Sequence, residues 1–255
     1  MNIAVCVKRV GKIDDDIEFT GDHDNVDPDY LDYALNEWDA AATAEALRLR
    51  EESGPGEVTV VTVGDAEADE VLVQCLAMGA DRAIRVDVDV ETVLDPLTVG
   101  RLLAKALQPV GADLVLCGAQ SADSAQGATG SVVAAMLGYP CATVVTKIET
   151  SGDGASVAVQ RELEGGVLDL VRIACPSVLT IQTGIAEPRY VTLRALQAAQ
   201  QQTIEVLDAD ASVLAAPGYR VRRMEQPTTE RAELINGGAA AVAARIMDLV
   251  REVSR

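Results

Sequence analysis

Val58-Thr59-Val60-Val61-Thr62-Val63-Gly64-Asp65, then the periodic segment Glu67 to Met78, then Ala83-Ile84-Arg85-Val86, is a strand, a helix and a second strand in succession. Two near-continuous β-branched runs separated by a helix-period segment are the pattern of a βαβ unit, whose parallel strands are buried on both faces. The pattern repeats outward. Ile3 to Val7 precedes a helical segment from Glu37 to Glu52, and Asp95 to Leu107 leads into the run Leu114 to Cys117. The expected fold is therefore α/β, a doubly wound, mostly parallel sheet with helices on both faces. From about Cys141 the character changes. Val144 to Ile148, Ser156 to Arg161, Val167 to Ile173 and Ser177 to Ile181 follow closely, the first three separated by the turns Ser151-Gly152-Asp153-Gly154 and Glu164-Gly165-Gly166. These four read as antiparallel strands added to the sheet. Beyond Gln182 lie a mixed segment, a polar stretch and an amphipathic helix from Ala239 to Val253, with Val242, Ile246, Leu249 and Val250 on one face.

The 255 residues, 49% of them hydrophobic, can bury a substantial core. The net charge of -19 disfavours nucleic acid and anionic membrane surfaces, which demand a basic face. No uninterrupted apolar run reaches ~18 residues, and the chain enters a strand-like stretch directly from Met1, so a cytoplasmic protein without membrane insertion is expected. The five cysteines are scattered without a CxxC pair and read as small buried residues. His23, the single histidine, sits among Asp22, Asp24, Asp27 and Asp29; one histidine disfavours a zinc site, and calcium is conceivable there although the EF-hand spacing is absent.

Ligands of doubly wound sheets bind at carboxyl ends of strands where the strand order reverses. Candidate ends are Val5-Cys6-Val7-Lys8-Arg9, Thr62-Val63-Gly64-Asp65 and Leu116-Cys117-Gly118-Ala119-Gln120. The last opens the small-residue loop Ser121-Ala122-Asp123-Ser124-Ala125-Gln126-Gly127-Ala128-Thr129-Gly130. Its glycines and alanines let backbone N–H groups approach a ligand, and a helix starting near Thr129 offers a positive dipole end for phosphate. The spacing matches neither GxGxxG nor the P-loop, which disfavours an NAD-type fold or an NTPase. On these residues alone a flexible surface loop explains the pattern equally well. Asn36, before Glu37, Trp38 and Asp39, reads locally as an ordinary helix cap. If this helix start meets a nucleotide, the carboxylates of Glu37 and Asp39 place the base or ribose there, leaving phosphate to the later loop.

Val5 to Arg9, Leu76-Ala77-Met78-Gly79-Ala80-Asp81-Arg82, the Gly118 to Gly130 loop, Arg161-Glu162-Leu163-Glu164-Gly165-Gly166 and Glu187-Pro188-Arg189-Tyr190 fall in the order found in the electron-transfer flavoprotein beta family, which the chain resembles over nearly its whole length. Asn36 to Asp39 and Arg220-Val221-Arg222-Arg223-Met224 look most like members from methylotrophic bacteria, which serve trimethylamine-dehydrogenase-type partners. The resemblance implies structural AMP on Cys6, Asn36, Glu37, Trp38, Asp39, Val63, Gly118, Ala119, Gln120, Ser121, Ala122, Asp123, Ser124, Ala125, Gln126, Gly127, Ala128 and Thr129. It also implies FAD held mainly by an alpha subunit, with this chain forming one wall and Ile13 facing the flavin. A 3% aromatic content suits that division. By the same resemblance Glu162 pairs with an arginine of the alpha subunit. Residues 184-200 form a partner-recognition loop in which Tyr190, Leu193 and Leu196 dock on a primary dehydrogenase, with Leu193 as the anchor. The polar neighbours Gln197, Gln200, Gln201 and Gln202 leave these leucines little core to face.

The implied organisation is a nucleotide-binding domain at 1-183, the recognition loop, and an arm at 201-255 that packs on the alpha subunit. Electrons pass from the dehydrogenase, an amine dehydrogenase by the methylotrophic likeness, towards a quinone oxidoreductase, with no substrate turned over by this chain. Three departures stand out. Gln200-Gln201-Gln202 replaces a lysine run of mitochondrial members, and Leu168 replaces an acidic residue of the family signature. Electron-bifurcating members carry Asp-Gly-Asp-Thr-Ala-Gln-Val-Gly in the loop and hold a second FAD; Asp123 to Gly130 lacks the second aspartate, which favours AMP. A bifurcating subunit with two FADs is the alternative, and a stress-protein-like nucleotide module, which would explain neither the antiparallel insert nor the recognition loop, is a third reading.

Overall fold

Successive residues of a strand point to opposite faces, so a strand apolar at every position needs cover on both sides. The computed structural model describes residues 1–12, 17–89, 94–152, 154–226 and 234–253. The chain runs β1 (Ile3–Cys6), β2 (Arg9–Lys12), β3 (Asp32–Leu35), α1 (Glu37–Ser53), β4 (Val58–Gly64), α2 (Asp69–Met78), β5 (Arg82–Asp87), α3 (Pro96–Leu107) and β6 (Leu114–Gly118). It continues through α4 (Thr129–Leu137), β7 (Cys141–Thr150), β8 (Ser156–Leu163), β9 (Val167–Ala174), β10 (Ser177–Ile181), α5 (Leu193–Ala199), β11 (Ile204–Asp208), α6 (Ala211–Leu214) and α7 (Ala239–Val253).

Among the described residues, nine strands form one sheet in the order β11-β5-β4-β1-β6-β10-β7-β8-β9. Pairing is parallel from β11 to β7 and antiparallel only for β7–β8 and β8–β9. Ile3, Val5, Val58, Val60, Leu114 and Leu116 face one way, against Leu47 and Leu49 of α1 and Leu72 and Leu76 of α2. Ala4, Cys6, Val61, Val115 and Cys117 face the other way, against Leu102 and Leu103 of α3 and Val133 and Ala134 of α4. Each fully buried leucine contributes about 1.5–3 kcal/mol, so the two layers carry the stability of the sheet.

β1 lies between β4 and β6. The chain builds β4 and β5 on one side of β1 and then crosses to β6 on the other. The order therefore reverses between β1 and β6, opening a crevice above their carboxyl ends.

Three features differ from the sequence reading. Ser177–Ile181 is not antiparallel: it lies parallel to both β6 and β7. No glycine turn precedes it, and all five of its residues are buried, as a central parallel strand requires. Ile204–Asp208, within the mixed segment, adds a parallel edge strand to β5. β2 and β3 form a separate antiparallel ribbon, with the Arg9 guanidinium stacked 3.7 Å over the Tyr33 ring.

Met1–Arg223 forms one compact unit and Met224–Arg255 a second. In the second, Ile246, Met247 and Val250 of the amphipathic helix α7 are exposed. Among the described residues no helix is long and apolar enough to cross a membrane.

Candidate nucleotide site

The first turn of α1 ties the two strand ends together. Asn36 occupies the cap position, yet its side chain caps nothing in the helix. Its Nδ2–H donates to the Gln120 carbonyl at 2.9 Å, and its Oδ1 accepts from Ala122 N–H at 3.2 Å. The ordinary cap expected from local sequence is thus replaced by two bonds to a loop more than 80 residues away. Asp39 Oδ2 accepts from Lys8 N–H at 2.8 Å, after β1, and its Oδ1 accepts from Gly118 N–H at 3.0 Å, at the end of β6. Burial pushes the Asp39 carboxyl up to about 7, against the pull of its bonds to Asn36, Lys8 and Gly118. Glycine is required at 118: an added Cβ would lie 2.3 Å from Asp39 Oδ1 and 2.7 Å from Trp38 Cβ.

Beyond Gly118 the loop is held by its own polar groups. Lys8 Nζ contacts Asp123 Oδ2 at 2.6 Å, Ser121 Oγ donates to Asp123 Oδ1 at 2.6 Å, and Ser121 and Ser124 share a 2.9 Å bond. Burial raises the Asp123 carboxyl, but Lys8 and the two serine hydroxyls outweigh it and hold it below the usual carboxylate range. Ala125 and Gly127 take left-handed backbone, with φ of 50° and 59°. The chain then enters α4, where the N–H groups of Thr129, Gly130 and Ser131 have no acceptor among the described residues. With the helix dipole behind them they form a cradle for an anion. Gly130 lets α4 approach the sheet, since a Cβ there would meet Thr180 Cγ2 at 2.5 Å and Cys117 Cβ at 3.3 Å. Cys6 and Cys117 lie side by side beneath it on the same layer, with Val63 packed partly against that layer.

A cavity of about 330 Å³ adjoins the loop, lined by Ala119, Gln120, Gly127, Thr143, Val144, Thr180 and Gln182. This lies at the small end of the ~300–1,000 Å³ range of small-ligand sites. Val144 has φ of 58°, costly for a β-branched residue, and stays there because its N–H donates to Thr180 Oγ1 at 3.0 Å. Arg161 grips the preceding Thr143 through its carbonyl at 2.9 Å and its hydroxyl at 3.0 Å. Trp38 Nε1–H donates to Gln182 Oε1 at 2.8 Å, fixing the rim. Sequence reasoning missed Thr143, Val144, Thr180 and Gln182. The only available signal was the position of Thr180 and Gln182 at a strand end. Among the described residues no cluster of His, Cys, Asp and Glu is suited to a metal ion.

The donor set fits a nucleotide monophosphate: free N–H groups for phosphate, and a polar-edged cavity beside them. Asn36 and Asp39 bind the start of the Gly118 to Thr129 loop, and Cys6 and Val63 belong to the core layer beside Cys117, whereas Glu37 is solvent-exposed. Ile13 lies outside the described residues. Glu162 is exposed on β8, next to the exposed Leu163, Val167, Leu168 and Leu170. Tyr190 is 91% and Leu193 71% exposed, while Leu196 is half-buried, so α5 presents the first leucine and turns the second inward. Thr192 caps α5 by accepting from Ala195 N–H at 3.2 Å, and an ion pair of 2.8 Å from Arg189 to Glu51 ties the preceding segment to α1.

The electron transfer flavoprotein domain family matches residues 25–212. The chain is similar to the electron transfer flavoprotein subunit beta of Methylophilus methylotrophus, with 40% identity over 260 residues, 99% of this chain and 98% of that one. It is 37% identical to that of Sus scrofa over 211 residues, 82% of each chain, and 30% identical to that of Bacillus subtilis over 262 residues, 100% of this chain and 99% of the other. With a family match over more than half of the chain and relatives agreeing over almost its whole length, the chain belongs to the electron transfer flavoprotein family as a beta subunit.

Proposed function

We propose that this chain binds AMP as a structural nucleotide and forms one wall of an FAD site held mainly by an alpha subunit. The supporting observation is the row of unpartnered N–H groups at Thr129, Gly130 and Ser131, set above a loop stapled by Asn36 and Asp39 where the strand order reverses. On this reading the α4 terminus takes the phosphate, with Cys6, Trp38, Val63 and the Gly118 to Thr129 backbone around the rest of the nucleotide. Asn36 and Asp39 act by shaping the loop, since Asn36 is bonded to Gln120 and Ala122 and Asp39 to Gly118 and Lys8.

FAD, when bound, supplies the redox chemistry. This chain's residues orient and dock. Glu162 would pair with an arginine of the alpha subunit, a contact that sets orientation more than affinity, and its exposure on β8 supports this. Ile13 is the proposed flavin neighbour. Tyr190 and Leu193 offer an apolar anchor to a primary dehydrogenase, an amine dehydrogenase by the methylotrophic likeness, in a complex that forms and releases quickly. Leu196, half-buried three residues on, is the third proposed docking residue. Electrons then pass to a quinone oxidoreductase, in the cytoplasm, and this chain turns over no substrate. Nucleotides extracted from the purified complex of this chain with its alpha subunit test the reading. One FAD and one AMP per complex are expected; two FADs, or ATP without flavin, overturn it.

A further inference from the structure

The segment after β11 runs back along α3 and ends on the nucleotide loop. Asp210 pairs with Lys105, Arg101 donates to the Ala216 carbonyl at 3.2 Å, and Gly218 N–H donates to Asp95 Oδ2 at 2.9 Å, so the fastenings proceed from the last turns of α3 to its cap. Leu207, Ala209, Val213 and Leu214 pack partly against the layer formed by α3 and α4. At the cap the approach is close: a Cβ on Gly218 would stand 2.8 Å from Asp95 Oδ1 and 3.2 Å from Leu97. The next residue, Tyr219, keeps 47% of its surface exposed, and its hydroxyl accepts from Gln126 Nε2–H. Gln126 stands directly before Gly127, which lines the cavity, and three residues before Thr129 at the anion cradle. α3 is itself locked on α4, because Gly100 faces Val132 with room for no side chain. Loop and strap thus rest on one rigid base, and the Tyr219–Gln126 bond is the link between them.

We propose that residues 208–219 form a strap whose Gly218-Tyr219 end clamps the nucleotide loop and slows release of the bound nucleotide, with Tyr219 as the positioning residue. This rests on the reading that the 118–129 loop holds AMP. For the nucleotide to leave, the loop must lift, and lifting it breaks the Gln126 bond. The test is exchange of bound AMP for labelled AMP on the purified complex with the alpha subunit. Tyr219→Phe is expected to speed exchange about fivefold, the change that one ordinary hydrogen bond produces, with FAD content unaltered and the melting temperature lowered by no more than about 2–4 °C. Gly218→Ala, which forces the strap off Asp95 without touching the hydroxyl, is expected to speed it as well. Wild-type exchange rates in both variants overturn the strap while leaving the AMP reading intact. A wild-type complex that releases no AMP on denaturation overturns both.

Discussion

Gly118→Ala tests the stapled strand ends directly. The new Cβ would sit 2.3 Å from Asp39 Oδ1 and 2.7 Å from Trp38 Cβ, whereas carbon contacts relax only near ~3.5 Å. The backbone at 118 must therefore recede by roughly 1 Å, which stretches the 3.0 Å bond from Gly118 N–H to Asp39 beyond hydrogen-bonding range. Overpacking costs about 1–3 kcal/mol, and leaving a fully buried carboxylate with one backbone donor in place of two costs a further ~1–3 kcal/mol. The two partly overlap, because the same shift relieves the clash and breaks the bond, so ~3 kcal/mol is expected. For a chain of this size that lowers the melting temperature by roughly 6–12 °C. If the displaced loop loses the same free energy towards its ligand, AMP binds about 100-fold more weakly. The assay is AMP content per complex, by extraction and chromatography, together with a thermal melt. Gly152→Ala is the control, since a Cβ there meets nothing within 4 Å. A Gly118→Ala complex that keeps one AMP and the parent's melting temperature refutes the reasoning.

Asp39 sets a pH dependence. Its folded pKa of about 7 lies above the unfolded carboxyl value, so the stability it contributes is fully present below pH ~4 and is lost as pH rises through 7, at up to about 1.4 kcal/mol per pH unit. Denaturant titrations at several pH values should show that slope, and Asp39→Asn should flatten it; identical slopes sink the assignment. Leu193→Ala should slow reduction of the complex by its partner dehydrogenase by on the order of tenfold while FAD content holds, as expected for an exposed anchor. Unchanged transfer kinetics would remove Leu193 from the interface.

The parallel strands were legible because burial on both faces leaves uninterrupted runs such as Val58 to Val63 and Leu114 to Cys117. Strand polarity was not. Ser177 to Ile181 has the composition of its neighbours, and only the absence of a turn before it separates a central parallel strand from a hairpin arm. At the candidate site, the small residues of Gly118 to Gly130 marked the loop but fitted a flexible surface loop equally well. The roles of Asn36 and Asp39 could not, because the groups they bind, Gln120 and Gly118, are 84 and 79 residues away in sequence. A capping residue and a residue that reaches across the fold look identical until the loop beside them is placed. Val144 was invisible for a related reason: valine predicts extended backbone, and its left-handed φ is imposed by Thr180 and by Arg161 through Thr143.

A chain of net charge -19 is a poor electrostatic host for a phosphate, and the site answers this locally. The charge of Asp123 is matched by Lys8 at 2.6 Å, and Asp39, near 7, is only partly ionised at neutral pH. Neither Lys8 nor Asp123 is left over to attract or repel a phosphate, so on the proposed reading binding would fall to the oriented N–H groups of α4, which carry no net charge. Dipoles give up less attraction at a distance than a free lysine would provide, which limits steering, but salt screens them less once the ligand is seated. A site of that kind gains its hold from preorganisation, through the Asn36 and Asp39 staples, and from a slow exit. On the proposed reading, a nucleotide held this way would serve the fold that presents Leu193 and Glu162, and the strap ending at Tyr219 would keep it from exchanging with the pool outside.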